Sequence, residues 1–167
     1  FADPPLGVIA PPSHPLATAR RIPLTALEHE TFLVREQGSG TRSSMERLFA
    51  ERGFIPKIGN VMSSNETIKQ AVMADMGLAF LSRHTIGFEL QMGRLVELDI
   101  VGLPLMRRWY VVHRAGRFMS RATLAFVDFV VEAAPGLLVE LHPPFKSPKS
   151  ARPSPARAAA RRRGTRR

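Results

Sequence analysis

The sequence predicts an α/β fold, a largely parallel sheet with helices layered on it, and three observations carry that expectation. Short apolar runs rich in β-branched and aromatic residues alternate with segments of helical periodicity. The connections between them are short and rich in glycine, serine and threonine, as strand–helix units require. The 167 residues suffice for one domain with a sizeable core and are too few for two full domains with linkers.

Leu6-Gly7-Val8-Ile9-Ala10 is an apolar run stopped by Pro11-Pro12, which predicts a strand leaving the sheet into a loop through His14-Pro15-Leu16-Ala17. A weak helical turn around Leu24 and Leu27 precedes a second strand at Thr31 to Val34, β-branched and aromatic in character. Gly38-Ser39-Gly40-Thr41 then breaks the chain before a helix over 42–52, where Met45, Leu48, Phe49 and Arg52 follow i, i+3, i+4, i+7 spacing. Gly53 ends it. Ile58 to Met62 predicts a third strand, and a helix over 65–76 opens with capping-box spacing from Ser63 to Glu66. Its Ile68, Ala71, Val72, Met73 and Met76 form an arc wider than one core face needs, so packing on two sides is expected.

Leu78 to Leu81 reads as a short buried strand with Ser82-Arg83-His84 at its carboxyl end. Leu95 to Ile100 and Arg108 to His113 read as two more strands, and an amphipathic helix is expected over 120–134. Trp109, the single tryptophan, is expected to anchor core packing. The folded unit is placed at residues 1–141, and 142–167 is expected to be a disordered Pro/Arg-rich tail.

Charge follows the same division. The net charge of +10 divides unevenly, because residues 142–167 carry nine of the 24 basic residues and none of the 14 acidic ones. The body is therefore near neutral, and any electrostatic case for nucleic-acid binding rests on the tail alone. The absence of cysteine excludes disulfides, thiolate metal sites and thiol nucleophiles. His29-Glu30 lacks the second histidine of a His-Glu-x-x-His zinc site, Gly38-Ser39-Gly40 has the wrong spacing for a nucleophile elbow, and no Gly-Lys-Ser/Thr phosphate loop follows. No catalytic residues and no metal ligands are nominated, and the chain is read as non-enzymatic. No apolar run is long enough for a membrane helix and the N-terminus lacks the basic-then-apolar pattern of a secretory signal, so a soluble protein without membrane partners is expected. Since the chain opens on Phe1 and enters strand-like sequence within five residues, it is expected to be part of a longer protein.

Gln37-Gly38-Ser39-Gly40-Thr41-Arg42 is the most informative segment. A strand, then glycines, then a helix starting on hydroxyl residues leaves several backbone N–H groups free at a helix N-terminus, a setting that favours an anion. The same residues also fit a plain helix cap with Arg42 in solvent. Ser64-Asn65 starts a second helix after a strand, and Arg83 ends another strand. In a parallel sheet all three would share the carboxyl edge, where open α/β sheets bind ligands. The candidate ligand site is therefore Gly38, Ser39, Gly40, Thr41, Arg42, Ser64, Asn65 and Arg83.

Several segments in order resemble the effector-binding domain of LysR-type transcriptional regulators. They are Pro11-Pro12-Ser13-His14-Pro15-Leu16-Ala17, Gly38-Ser39-Gly40-Thr41-Arg42, Ser64-Asn65-Glu66-Thr67-Ile68-Lys69-Gln70-Ala71-Val72, Gly77-Leu78-Ala79-Phe80-Leu81-Ser82 and Gly93-Arg94-Leu95. The match spans about residues 5–134. Ser82-Arg83-His84-Thr85-Ile86 and the run Gly102 to Val112 are most similar to the CbbR branch, regulators of Calvin-cycle (RuBisCO) operons. The resemblance implies a type 2 periplasmic-binding-protein fold of two α/β subdomains with a small-molecule effector between them. Residues 10–105 would form one largely complete subdomain, with crossover strands at Leu6–Ala10 and Leu105–His113 and the 120–134 helix returning to a subdomain mostly missing here.

The resemblance further implies a homo-oligomer, dimer or tetramer, that binds promoter DNA through an N-terminal winged helix-turn-helix with no counterpart in this sequence. It implies a phosphorylated Calvin-cycle metabolite or NADPH as effector, no cofactor, weak or absent effector binding without the opposite cleft wall, and a dimer contact at Ile68, Val72, Met73 and Met76. Core packing explains Ile68 and Val72 equally well. Two other readings stand beside it: a stand-alone periplasmic-type solute-binding module, and non-specific nucleic-acid binding through Arg161-Arg162-Arg163-Gly164-Thr165-Arg166-Arg167.

Overall fold

Apolar side chains on both faces of a strand require cover on both sides, and that requirement organises the molecule. The computed structural model describes residues 1–141; the expected tail at 142–167 lies outside them. Strands β1 (Pro5–Ala10), β2 (Thr31–Arg35), β3 (Lys57–Met62) and β4 (Leu78–Ser82) form the body of the sheet, in the order β3-β2-β4-β1. Two-residue strands β5 (Val96–Glu97) and β6 (Leu105–Met106) both pair with β1. The helices are α1 (Gly40–Glu51), α2 (Asn65–Met73), α3 (Arg83–Gln91) and α4 (Arg121–Leu141).

Strand alternation sorts the core into two layers. Leu6 and Val8 of β1, Phe32 and Val34 of β2, and Leu78 and Phe80 of β4 face α1, where they meet Met45, Leu48 and Phe49. Phe49 sits at the centre, edge-on to Phe54 at 4.9 Å and Phe32 at 5.5 Å between ring centroids, an arrangement aromatic quadrupoles favour. On the opposite face, Ile9, Leu33, Ala79 and Leu81 are covered by Ile68 and Val72 of α2 and Ile86 and Leu90 of α3.

Several expectations need correction. The sheet is mixed, not largely parallel: β2 runs parallel to β3 and β4, while β1 is antiparallel to β4, β5 and β6. The strand expected at Leu95–Ile100 shortens to β5, because the chain bends so that Leu98 N–H bonds Val8 O and Ile100 bridges Ile22 separately. The strand expected at Arg108–His113 is replaced by β6 and an isolated bridge from Trp109 to Ala2. Trp109 belongs to neither core layer; half-buried, it packs against Phe1 and His84. The helix over 65–76 ends at Met73, and its N-cap is Ser64, whose Oγ accepts from the Glu66 and Thr67 N–H groups at 3.2 and 3.5 Å. The Ser63–Glu66 capping box does not form, since the Glu66 carboxylate is held by Lys69 and Gln70. Helix α3 was not anticipated, and α4 runs through Pro135 to Leu141 rather than ending at 134.

Candidate effector-binding edge

Because β2, β3 and β4 are parallel, their carboxyl ends open on one edge, and a helix starts just beyond each. The three N-cap residues are serines: Ser39 for α1, Ser64 for α2 and Ser82 for α3. Only Ser64 spends its hydroxyl on capping; Ser39 and Ser82 make no side-chain cap bond. Antiparallel β1 brings its first residues to the same edge, with Leu6 opposite Ser82 and Pro5 opposite Met106.

The richest donor set is at α1. Gly38, at φ +87°, makes a turn that glycine adopts without strain, and Ser39 N–H closes it on Glu36 O at 3.2 Å. The first bond of the helix runs from Ser43 N–H to Ser39 O, so the N–H groups of Gly40, Thr41 and Arg42 lie ahead of it with no partner inside the helix. This end of the helix carries the positive part of its dipole.

The arginines around the edge are mostly committed. Arg35 forks onto Glu36 at 2.7 and 2.9 Å and donates to Asn65 Oδ1 at 2.6 Å, tying the start of α2 to the end of β2. The hydrogen bonds between Arg35 and Glu36 raise the Arg35 pKa and hold the Glu36 carboxyl below its ordinary value. Arg42 donates to Glu46 at 2.7 Å and to Arg35 O at 3.1 Å. Arg83 turns away from α1 and pairs with Glu97, which lies against Gly7 on β1. It lines a groove of about 440 Å³ along the β1–β5 edge, where Arg20 and Asp99 form a second pair at 3.9 Å.

The structure thus brings Gly38, Ser39, Gly40, Thr41, Arg42, Ser64 and Asn65 to one edge, with Arg42 and the Ser64 hydroxyl already engaged, and sets the Arg83 guanidinium toward a neighbouring groove. One residue at this edge was missed. The guanidinium of Arg107, just past β6, stands over Gly40, so close that a Cβ at residue 40 would fall 3.0 Å from its Cζ. Of the proposed dimer-contact residues, Ile68 and Val72 are fully buried beneath α2 and have no surface to offer, Met73 is half-buried and Met76 is exposed. Among the described residues no cluster of three or more His, Cys, Asp or Glu side chains could hold a metal ion, and no helix is long and apolar enough to cross a membrane.

The LysR substrate binding domain family matches residues 1–135. The chain belongs to that family. The LysR domain's periplasmic-binding-protein-like α/β architecture is the one found here. A RuBisCO operon transcriptional regulator of Allochromatium vinosum is 52% identical over 134 residues, which are 80% of this chain and 44% of the relative. The HTH-type transcriptional regulator CbbR of Rhodospirillum rubrum is 48% identical over 134 residues, again 80% of this chain and 44% of the relative. The regulatory domain of Synechocystis PCC6803 CcmR in complex with 2-PG superposes with a TM-score of 0.75 at 43% identity, over 81% of this chain and 66% of that one. This LysR domain therefore spans less than half the length of the curated relatives it matches. Those relatives are named as regulators of transcription, not as enzymes.

Proposed function

We propose that this LysR domain is the effector-sensing part of a cytoplasmic, oligomeric regulator of RuBisCO-operon genes, which contacts promoter DNA through a region outside this sequence and catalyses nothing itself. The effector is a small phosphorylated metabolite, with NADPH as the other candidate. The carrying observation is the carboxyl edge of the sheet, where the N–H groups of Gly40, Thr41 and Arg42, unpaired among the described residues, meet two serine N-caps whose hydroxyls are not used for capping. Such an arrangement suits an anion. The 2-phosphoglycolate complex of CcmR supports a phosphorylated carboxylate in particular. The relatives' names favour this reading over a stand-alone solute-binding module.

Calorimetric titration of the full-length regulator with 2-phosphoglycolate, ribulose bisphosphate, phosphoenolpyruvate and NADPH tests it. Saturable binding of at least one probe is expected, weakened about fivefold in Thr41→Ala, which removes one hydroxyl from the edge. No binding by any probe, or equal affinity in the variant, overturns the proposal.

A further inference from the structure

Arg107 and Ser82 occupy positions that strand register makes comparable. Leu105, Leu6 and Ser82 lie opposite one another on β6, β1 and β4, and neighbours in register share a face. Leu6 belongs to the core layer covered by α1, and Leu105 packs against it. Ser82 lies two residues beyond Phe80 of that layer, so it too faces α1, and Arg107, two beyond Leu105, follows the same side. The result is visible in the side chains. The Arg107 guanidinium stands over Gly40, at the start of α1. Ser82 is 8% exposed, and its Oγ has no hydrogen-bond partner among the described residues.

A guanidinium over the positive end of a helix is an unfavourable juxtaposition unless an anion is shared between them. The other arginines of this edge have partners: Arg35 has Glu36 and Asn65, Arg42 has Glu46, Arg83 has Glu97, and Arg108 has Asp3. Arg107 makes no ion pair with any described residue. Buried unsatisfied hydroxyls are costly and uncommon, so Ser82 marks the same corner independently.

We infer that Arg107 is the anion-anchoring residue of the effector site: its guanidinium clamps the phosphate of a small phosphorylated carboxylate against the free N–H groups of Gly40, Thr41 and Arg42. This rests on the effector-binding reading above and assigns to Arg107 the cation that the sequence had assigned to Arg42. A planar fork matches phosphate oxygens in pairs, which an ammonium does not. Gly40 is part of the same device, because any side chain there would take the space that the guanidinium occupies.

The test uses the full-length regulator and calorimetry with 2-phosphoglycolate, with glycolate as the probe lacking phosphate. Arg107→Ala is expected to weaken 2-phosphoglycolate about tenfold or more, and Arg107→Lys to restore only part of that, as for loss of a charge-assisted bidentate contact. Gly40→Ala should weaken binding in the same direction while leaving every charge in place, since the displaced atoms are the end of a flexible side chain. Arg108→Ala removes a neighbouring positive charge whose partner is Asp3 and is expected to leave affinity within about twofold. Binding by the wild type with Arg107→Ala within about twofold of it overturns the Arg107 assignment and leaves the effector reading standing. Equal losses in Arg107→Ala and Arg108→Ala, or a glycolate affinity equal to that of 2-phosphoglycolate, also overturn it. A wild type that binds none of the phosphorylated probes overturns both.

Discussion

Lys69 is a charged side chain held inside the apolar face of α2. Its neighbours Ile68 and Val72 fill the core beneath α2, and Lys69 itself is only 8% exposed. Its ammonium reaches Glu89 Oε1 of α3 at 2.8 Å and Glu66 Oε2 at 2.7 Å. Burial works against its charge, but the hydrogen bonds it donates to Glu66 and Glu89 outweigh it and raise its pKa above the ordinary value. Removing one partner of a buried pair leaves the other uncompensated, so Lys69→Met is expected to destabilise the fold by about 3–5 kcal/mol in urea unfolding. Since the folded pKa is raised, this contribution is fully present below the unfolded lysine value of about 10.4 and fades as pH rises through the folded value. Unfolding free energy should therefore fall less steeply above about pH 10.5 in Lys69→Met than in the wild type. None of this was legible in the sequence, because the partner Glu89 lies on a helix that the sequence did not reveal. The Gly38–Arg42 segment was legible, since a glycine turn and hydroxyls before a helix are local signals. Arg107 was not, for its role depends on a register 67 positions away from Gly40.

At the scale of elements, legibility followed the length and apolarity of each segment. Strands β1, β2 and β4 are apolar runs buried on both faces, and their positions agree with the expected ones within about a residue. Helix α3 escaped because Thr85, Ile86 and Gly87 are poor helix formers in succession; burial of Ile86 and Leu90 against the sheet holds it together. The edge strands β5 and β6 are two residues each, too short for alternation to declare them. The cap of α2 offers a direct comparison, since two serines stand side by side before it. Ser64 accepts two backbone N–H groups, while no hydrogen bond to a described residue holds the Ser63 side chain. Ser64→Ala is expected to lower the unfolding free energy by about 0.5–2 kcal/mol, and Ser63→Ala by less than about 0.5. Urea denaturation of the two variants side by side measures it. Equal effects would mean that the cap had been placed one residue wrong.

The whole molecule is unevenly finished. Its sheet layer buries apolar side chains on both faces, whereas α4 presents Phe126 at 64% and Phe129 at 56% exposure, with Leu124, Val131 and Leu137 also exposed. The stretch before it adds Tyr110, Val112 and Phe118. A helix apolar around most of its circumference is built for burial rather than for solvent. The α/β class was legible because alternating strand and helix patterns are local, but the lack of cover over α4 was not, because amphipathic spacing shows which side is apolar and not what meets it. Since α4 has no extensive packing against the sheet, it is expected to contribute little to the sheet's stability and much to the exposed apolar area. Comparing a chain lacking 142–167 with one lacking 120–167 isolates the helix. The shorter chain should unfold within about 0.5 kcal/mol of the longer one and bind far less of a hydrophobic fluorescent dye. A drop of more than about 2 kcal/mol would mean that α4 supports the core after all, since losses of that size come from buried packing.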